Sequence, residues 1–171
     1  MVIYFCEKVS FIDMDEISYC EPGHIFCRTQ KILLAVDGSE GSARAATVAF
    51  EVAQMTKSKL FVIHVIPIPL VKQVALMSDG DADEILLKYA AKGETLLEGV
   101  KDASKGYGLD IELILERGSP PERIVAQVIE KGVDLIVIGA RGATGGGSRS
   151  GLGSSVERVT YAVDIPVLVV K

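Results

Sequence analysis

The 171 residues carry a net charge of −5, almost half of them are hydrophobic, and tryptophan is absent. That balance disfavours non-specific nucleic-acid binding and suits one α/β domain with an aliphatic core. No apolar run approaches the roughly 18 residues needed to cross a bilayer, and no secretory signal stands at the N-terminus, so no membrane partner and a cytoplasmic location are expected.

Residues 1–29 differ from everything that follows. They hold Cys6, Cys20, Cys27 and His24 among Tyr4, Phe5, Phe11, Tyr19 and Phe26. These are the ligand types of a three-thiolate, one-imidazole zinc site, but there is no Cys-x-x-Cys knuckle, and an odd number of cysteines argues against a disulfide framework. An N-terminal extension forming an extra strand or hairpin, or a start at Met14, accounts for the segment more simply. The domain proper is expected over 30–171.

From Lys31 the pattern is regular. Ile32 to Val36 reads as a buried strand, and Asp37-Gly38-Ser39 as a tight turn into a helix over 40–55 with Ala43, Ala46, Phe50 and Ala53 inward. A second strand over 60–66 is closed by Pro67 and Pro69. Residues 70–81 show no clear period and read as a loop. A long helix over 82–104 follows, its inner stripe formed by Ile85, Leu86, Tyr89, Leu96, Leu97 and Val100, with Gly106 and Gly108 ending it. A strand over 109–116 comes next. Then Ser119, Pro120 and Glu122 predict a capped helix with Ile124, Val125, Val128 and Ile129 inward.

The segment 134–157 is the most informative. Leu135 to Ile138 has strand length and composition; a loop with Gly139, Gly142, Gly145, Gly146, Gly147, Gly151 and Gly153 follows, and Ser154-Ser-Val-Glu157 has the form of a capping box opening a helix. A strand, a glycine-rich loop and a helix N-terminus make a phosphate cradle, because unpaired amides and the positive end of the helix dipole converge there. A strand over 165–170 closes the chain. Alternating strands and helices call for an open, mostly parallel sheet with helices on both faces. Ligands of such sheets bind beyond the carboxyl ends of the strands, where the strand order reverses. If the first and fourth strands are neighbours there, the Asp37 turn and the glycine loop face one crevice.

From Lys31 to Lys171 the chain resembles the universal stress protein family in its ATP-binding form. The resemblance rests on Ile32 to Ser39, His64-Val65, Gly118-x-Pro120, Asp134 to Gly142, Gly153-Ser154 and Pro166 to Val170. It implies a Rossmann-like fold with five strands in the order 3-2-1-4-5. The family pattern places nine residues between Gly-x-x-Gly and Gly-Ser; here residues 143–152 make ten. The resemblance further implies that Ala35 and Val65 contact adenine, and that Asp37 meets the ribose or the region near the metal. It assigns Gly139, Gly142, Gly153, Ser154 and Ser155 to the phosphates. Asp37 could equally cap the following helix, and His64 reads as a strand residue with a satisfied ring.

The expected function is a cytosolic stress-response sensor binding ATP, or AMP or ADP, with Mg2+ as the accompanying ion, no protein metal site and no catalytic residue assigned. A slow ATPase is the alternative. Nucleotidyl transfer lacks a His-x-x-His segment, a P-loop is absent, and a phosphoacceptor role for Asp37 lacks the carboxylates that would hold magnesium. In the implied strand order the last strand is an edge, so its uncharged Val167-Leu-Val-Val170 predicts a homodimer through that strand.

Overall fold

The computed structural model describes Phe26, residues 28–143 and residues 151–171. The proposals for Cys6, Cys20, His24 and Cys27, and for the central glycines 145–147, lie outside them. The chain runs β1 (Lys31–Ala35), α1 (Glu40–Thr56), β2 (Lys59–Pro67), α2 (Ile68–Ser78), α3 (Ala82–Ser104), β3 (Ile111–Gly118), α4 (Pro120–Lys131), β4 (Leu135–Gly139), α5 (Ser154–Ala162) and β5 (Val167–Val170). A short 3-10 turn, Lys105–Tyr107, follows α3.

The five strands are parallel in the order β3-β2-β1-β4-β5, as the resemblance implied. β1 is central: Leu34 lies opposite Val62 of β2 and Val137 of β4. Alternation along each strand sends side chains to two cores. Ile32 and Leu34 pack with α1 and α3 residues such as Phe50, Leu97 and Val100. Leu33 and Ala35 pack with Ile124 and Val128 of α4 and Val156 and Val159 of α5. Ile32, Leu33 and Leu34 are wholly inaccessible to solvent, each contributing about 1.5–3 kcal/mol by burial. The strand starts are pinned by Asp134, whose carboxylate accepts the amides of Gln30 at 2.9 Å and Lys31 at 2.8 Å.

Several local expectations are corrected. Residues 70–81, read as a loop, contain most of α2. Its apolar side is short: Val71 and Ala75, one turn apart, sit over Ile66 and α3, while Leu76 and Met77 face outward. A stripe that narrow, just after Pro67 and Pro69, gives no visible period. In α1 the inward face includes Ala45, Ala49 and Val52, and Ala43 is exposed. In α4 the inner positions are Pro121, Ile124, Gln127 and Val128; Ile129 is exposed, because Gln127 takes an inward place beside Glu116 of β3. Neither predicted capping box forms. Ser119 is the N-cap of α4 without a side-chain bond, and the N-cap of α5 is Gly153, one residue before the expected Ser154.

Candidate functional site

β1 and β4 are neighbours whose continuations leave the sheet towards opposite faces, so the reversal point lies beyond Ala35 and Gly139. After β1 the chain turns through Gly38 at φ +81°, a left-handed conformation that favours glycine. Ser39 is the N-cap of α1, its hydroxyl accepting the Ser42 amide at 3.1 Å. The capping role considered for Asp37 therefore belongs to Ser39.

Asp37 instead ties the turn to the glycine loop. Its Oδ1 accepts the Ser39 amide at 3.0 Å and its Oδ2 the Ala143 amide at 2.6 Å. The residue is accessible at the crevice mouth, yet enough protein surrounds the carboxylate that burial pushes its pKa up. Donors on Ser39, Ala143 and Ser42 outweigh this and hold it below the ordinary value. Gly142 fits beside it because it lacks a side chain: a Cβ there would lie 2.7 Å from Asp37 Oδ2. Gly139 has a different neighbour. A Cβ on it would meet the carbonyl carbon of Gly41 at 2.7 Å, so its bareness lets α1 begin directly against the end of β4.

The loop returns through Gly153, whose amide donates to the Ala140 carbonyl at 2.8 Å and joins the loop's two ends. That amide is thus engaged within the protein. The donors aimed outward are those of the first turn of α5, at Ser154, Ser155 and Val156, which a helix leaves without intrahelical acceptors. They supply the anion-binding end that the Ser-Ser sequence suggested, although the hydroxyl cap is absent.

A cavity of about 590 Å³ opens over these strand ends, and all eight sequence-assigned residues line it: Ala35, Asp37, Val65, Gly139, Gly142, Gly153, Ser154 and Ser155. One part is apolar, walled by Ala35, Ile63, Val65, Ile124, Ile138 and Val156. The other carries the glycine loop and the helix terminus. His64 lies on the wall, its Nδ1 donating to the Val36 carbonyl at 2.8 Å, so the ring is satisfied as expected. Sequence reasoning missed the wall made by Pro67 at the end of β2, Leu70 of α2, and Tyr89, Lys92 and Leu96 of α3. Gly93 was the available signal. In a helix of strong formers, a buried glycine marks close approach, and a Cβ there would lie 2.7 Å from His64 Cδ2. Among the described residues, no cluster of three or more His, Cys, Asp or Glu side chains is arranged to hold a metal.

Fold and cavity together define a doubly wound α/β domain with its opening at the switch point. The model of the universal stress protein family matches residues 28–171. Universal stress protein YxiE of Bacillus subtilis is 32% identical over 146 residues, covering 82% of this chain and 98% of that one. Universal stress protein UspA from Lactobacillus plantarum has the same fold, with a TM-score of 0.72 at 23% identity over 84% of this chain and 99% of its own. A universal stress protein solved in complex with cAMP is 25% identical, with a TM-score of 0.63 over 83% of this chain and 96% of its own. The chain belongs to the universal stress protein family.

Proposed function

We propose that this protein binds an adenine nucleotide, ATP in preference to AMP or ADP, and acts as a cytoplasmic nucleotide-dependent sensor and regulator. The observation that carries the reading is the union, in one cavity, of an apolar slot and a glycine loop ending at a helix N-terminus. The slot between Ala35, Val65 and Ile124 suits a flat heteroaromatic base, and the first-turn amides of α5 suit phosphate oxygens. The cAMP complex of a relative with the same fold supports an adenine ligand. Mg2+ would be held mainly by the phosphates, as this ion prefers, with Asp37 the one carboxylate among the described lining residues.

Regulation is favoured over catalysis because Asp37 is the one carboxylate among the described lining residues and its lowered pKa makes it a weak base for activating water. We further propose a homodimer through β5. The opposite edge strand, β3, carries Glu112 and Glu116 in ion pairs with Lys59, Lys131 and Arg123, charges that discourage strand addition. β5 has only Val167, Leu168, Val169 and Val170, half-buried and paired on one side with β4.

Calorimetric titration with ATP and Mg2+ tests the binding reading. Wild type gives saturable binding, and Gly142→Val abolishes it, since a branched side chain there displaces Asp37 and breaks its bond to Ala143. Equal affinity in that variant would mean the ligand sits elsewhere.

A further inference from the structure

The cavity wall holds charge that the nucleotide reading leaves unused. Among the described residues its lining contains one carboxylate, Asp37, and two cationic side chains, Lys92 and Arg141, in a protein of net charge −5. Asp37 offsets one of these charges, and its two oxygens are engaged by the Ser39 and Ala143 amides. Arg141 has bonding of its own. Lys92 has no hydrogen bond or ion pair among the described residues, as holds also for Lys72, which lies outside the lining, whereas Lys59, Lys88, Lys105 and Lys131 are ion-paired. Sequence explains the difference. The helical neighbours three and four residues from Lys92 are Lys88, Tyr89, Thr95 and Leu96, none of them acidic, and Lys88 is committed to Glu84 at 2.7 Å.

The position of Lys92 is fixed by its successor. Gly93 lets α3 lie directly against His64 and Leu115 of the sheet, where a Cβ would come within 2.8 Å of Leu115 Cδ1. One turn further on, Leu96 closes over the β1 turn; a Cβ on Gly38 would sit 3.9 Å from it. Asp37, beside Gly38, bonds Ala143 of the loop. Lys92 and the loop residues Gly142 and Ala143 line the same cavity, and the Asp37-Gly38 turn between them touches Leu96 of α3 on one side and Ala143 of the loop on the other.

We infer that Lys92 is a specificity-determining residue of this cavity, its ammonium pairing with the phosphate end of the ligand from the wall opposite the glycine loop. The inference deepens the adenine-nucleotide reading and rests on it for the base. Lys92 adds a full positive charge to the first-turn amides of α5 and so favours polyphosphates over uncharged nucleosides. An ammonium on a flexible stem acts as a point charge, so Arg in its place preserves the function in part while a neutral side chain does not.

The test is calorimetric titration of wild type, Lys92→Met and Lys92→Arg with ATP, adenosine and tripolyphosphate. Met keeps the stem and is a good helix former, so the fold is retained, as thermal unfolding will verify. The expected result is a roughly tenfold loss of affinity for ATP and tripolyphosphate in Lys92→Met, the size of one charged hydrogen bond. Adenosine affinity stays unchanged and Lys92→Arg recovers most of the loss. ATP binding within twofold of wild type in Lys92→Met, or equal losses for ATP and adenosine, would overturn the inference and leave the nucleotide reading standing. Tripolyphosphate binding that depends on Lys92, with no preference for ATP and no binding of adenosine, would overturn the adenine reading and leave the role of Lys92 standing. A wild type that binds none of the three overturns both.

Discussion

The contact between Gly142 and Asp37 makes a sharp prediction about how the loop is held. Replacing Gly142 by alanine puts a methyl group 2.7 Å from Asp37 Oδ2, the atom that accepts the Ala143 amide. The carboxylate is the movable partner, so it swings away and that hydrogen bond is lost. A hydrogen bond to a charged group contributes about 1.5–3 kcal/mol. Asp37 is accessible, so solvent screening reduces this to about 1–2 kcal/mol. Against it stands the general gain of about 0.4–1 kcal/mol when alanine replaces a glycine in an ordinary backbone conformation, which Gly142, absent from the positive-φ set, has. The net cost in the parent protein is small, and the informative quantity is the coupling. In an Asp37→Ala background the clash and the bond are both absent, so Gly142→Ala should become neutral or stabilising. Urea denaturation of the four proteins measures the cycle, with an expected coupling of about 1–2 kcal/mol. Equal effects of Gly142→Ala in both backgrounds would refute the claim that Asp37 holds the loop.

Other outcomes follow from the same geometry. Gly139→Ala forces a side chain against the backbone of Gly41, which cannot rotate away, so a loss of about 2–3 kcal/mol and a melting point lower by roughly 5–10 °C are expected. Gly153→Ala, whose Cβ would lie at an ordinary 3.5 Å from its neighbours at φ −66°, should melt within 2 °C of the parent, by about the scale of neutral surface changes. Because Asp37 titrates below its ordinary value in the folded state, its contribution is complete above the unfolded carboxylate range and is lost as pH falls through the lower folded value. The difference in stability between parent and Asp37→Asn should therefore shrink on acidification; a difference independent of pH would contradict the assigned bonds. Light scattering before and after removal of residues 1–28 tests the β5 interface: a dimer in both supports it, and a monomer that dimerises only when trimmed would show that the N-terminal segment covers that edge.

Much of the fold was legible because fully buried parallel strands are short apolar runs. Ile32 to Val36 and Leu135 to Ile138 could hardly be anything else, and the long α3 stripe predicts its 82–104 bounds. What failed was local and polar. The Ser154 and Ser119 capping boxes require hydroxyl geometry that sequence cannot supply, and in neither helix does the N-cap residue make a side-chain hydrogen bond. α2 was missed because its contact with the rest of the protein is narrow. The residues assigned from the resemblance and the order of glycines line the cavity, yet for Gly139 and Gly142 the nearest atoms are those of Gly41 and Asp37, close approaches within the protein itself. Lys92 gave no motif; only the absence of an acidic partner on its helix marks it.

The central claim, that the cavity between Ala35, Val65 and the first turn of α5 takes an adenine nucleotide, is tested most directly by competition under native mass spectrometry. The purified protein is offered ATP, AMP, cAMP and flavin mononucleotide in equal amounts with Mg2+. Retention of an adenine nucleotide, lost in Gly142→Val, is the predicted result. Retention of flavin mononucleotide alone, or of no ligand at any concentration up to millimolar, would contradict it.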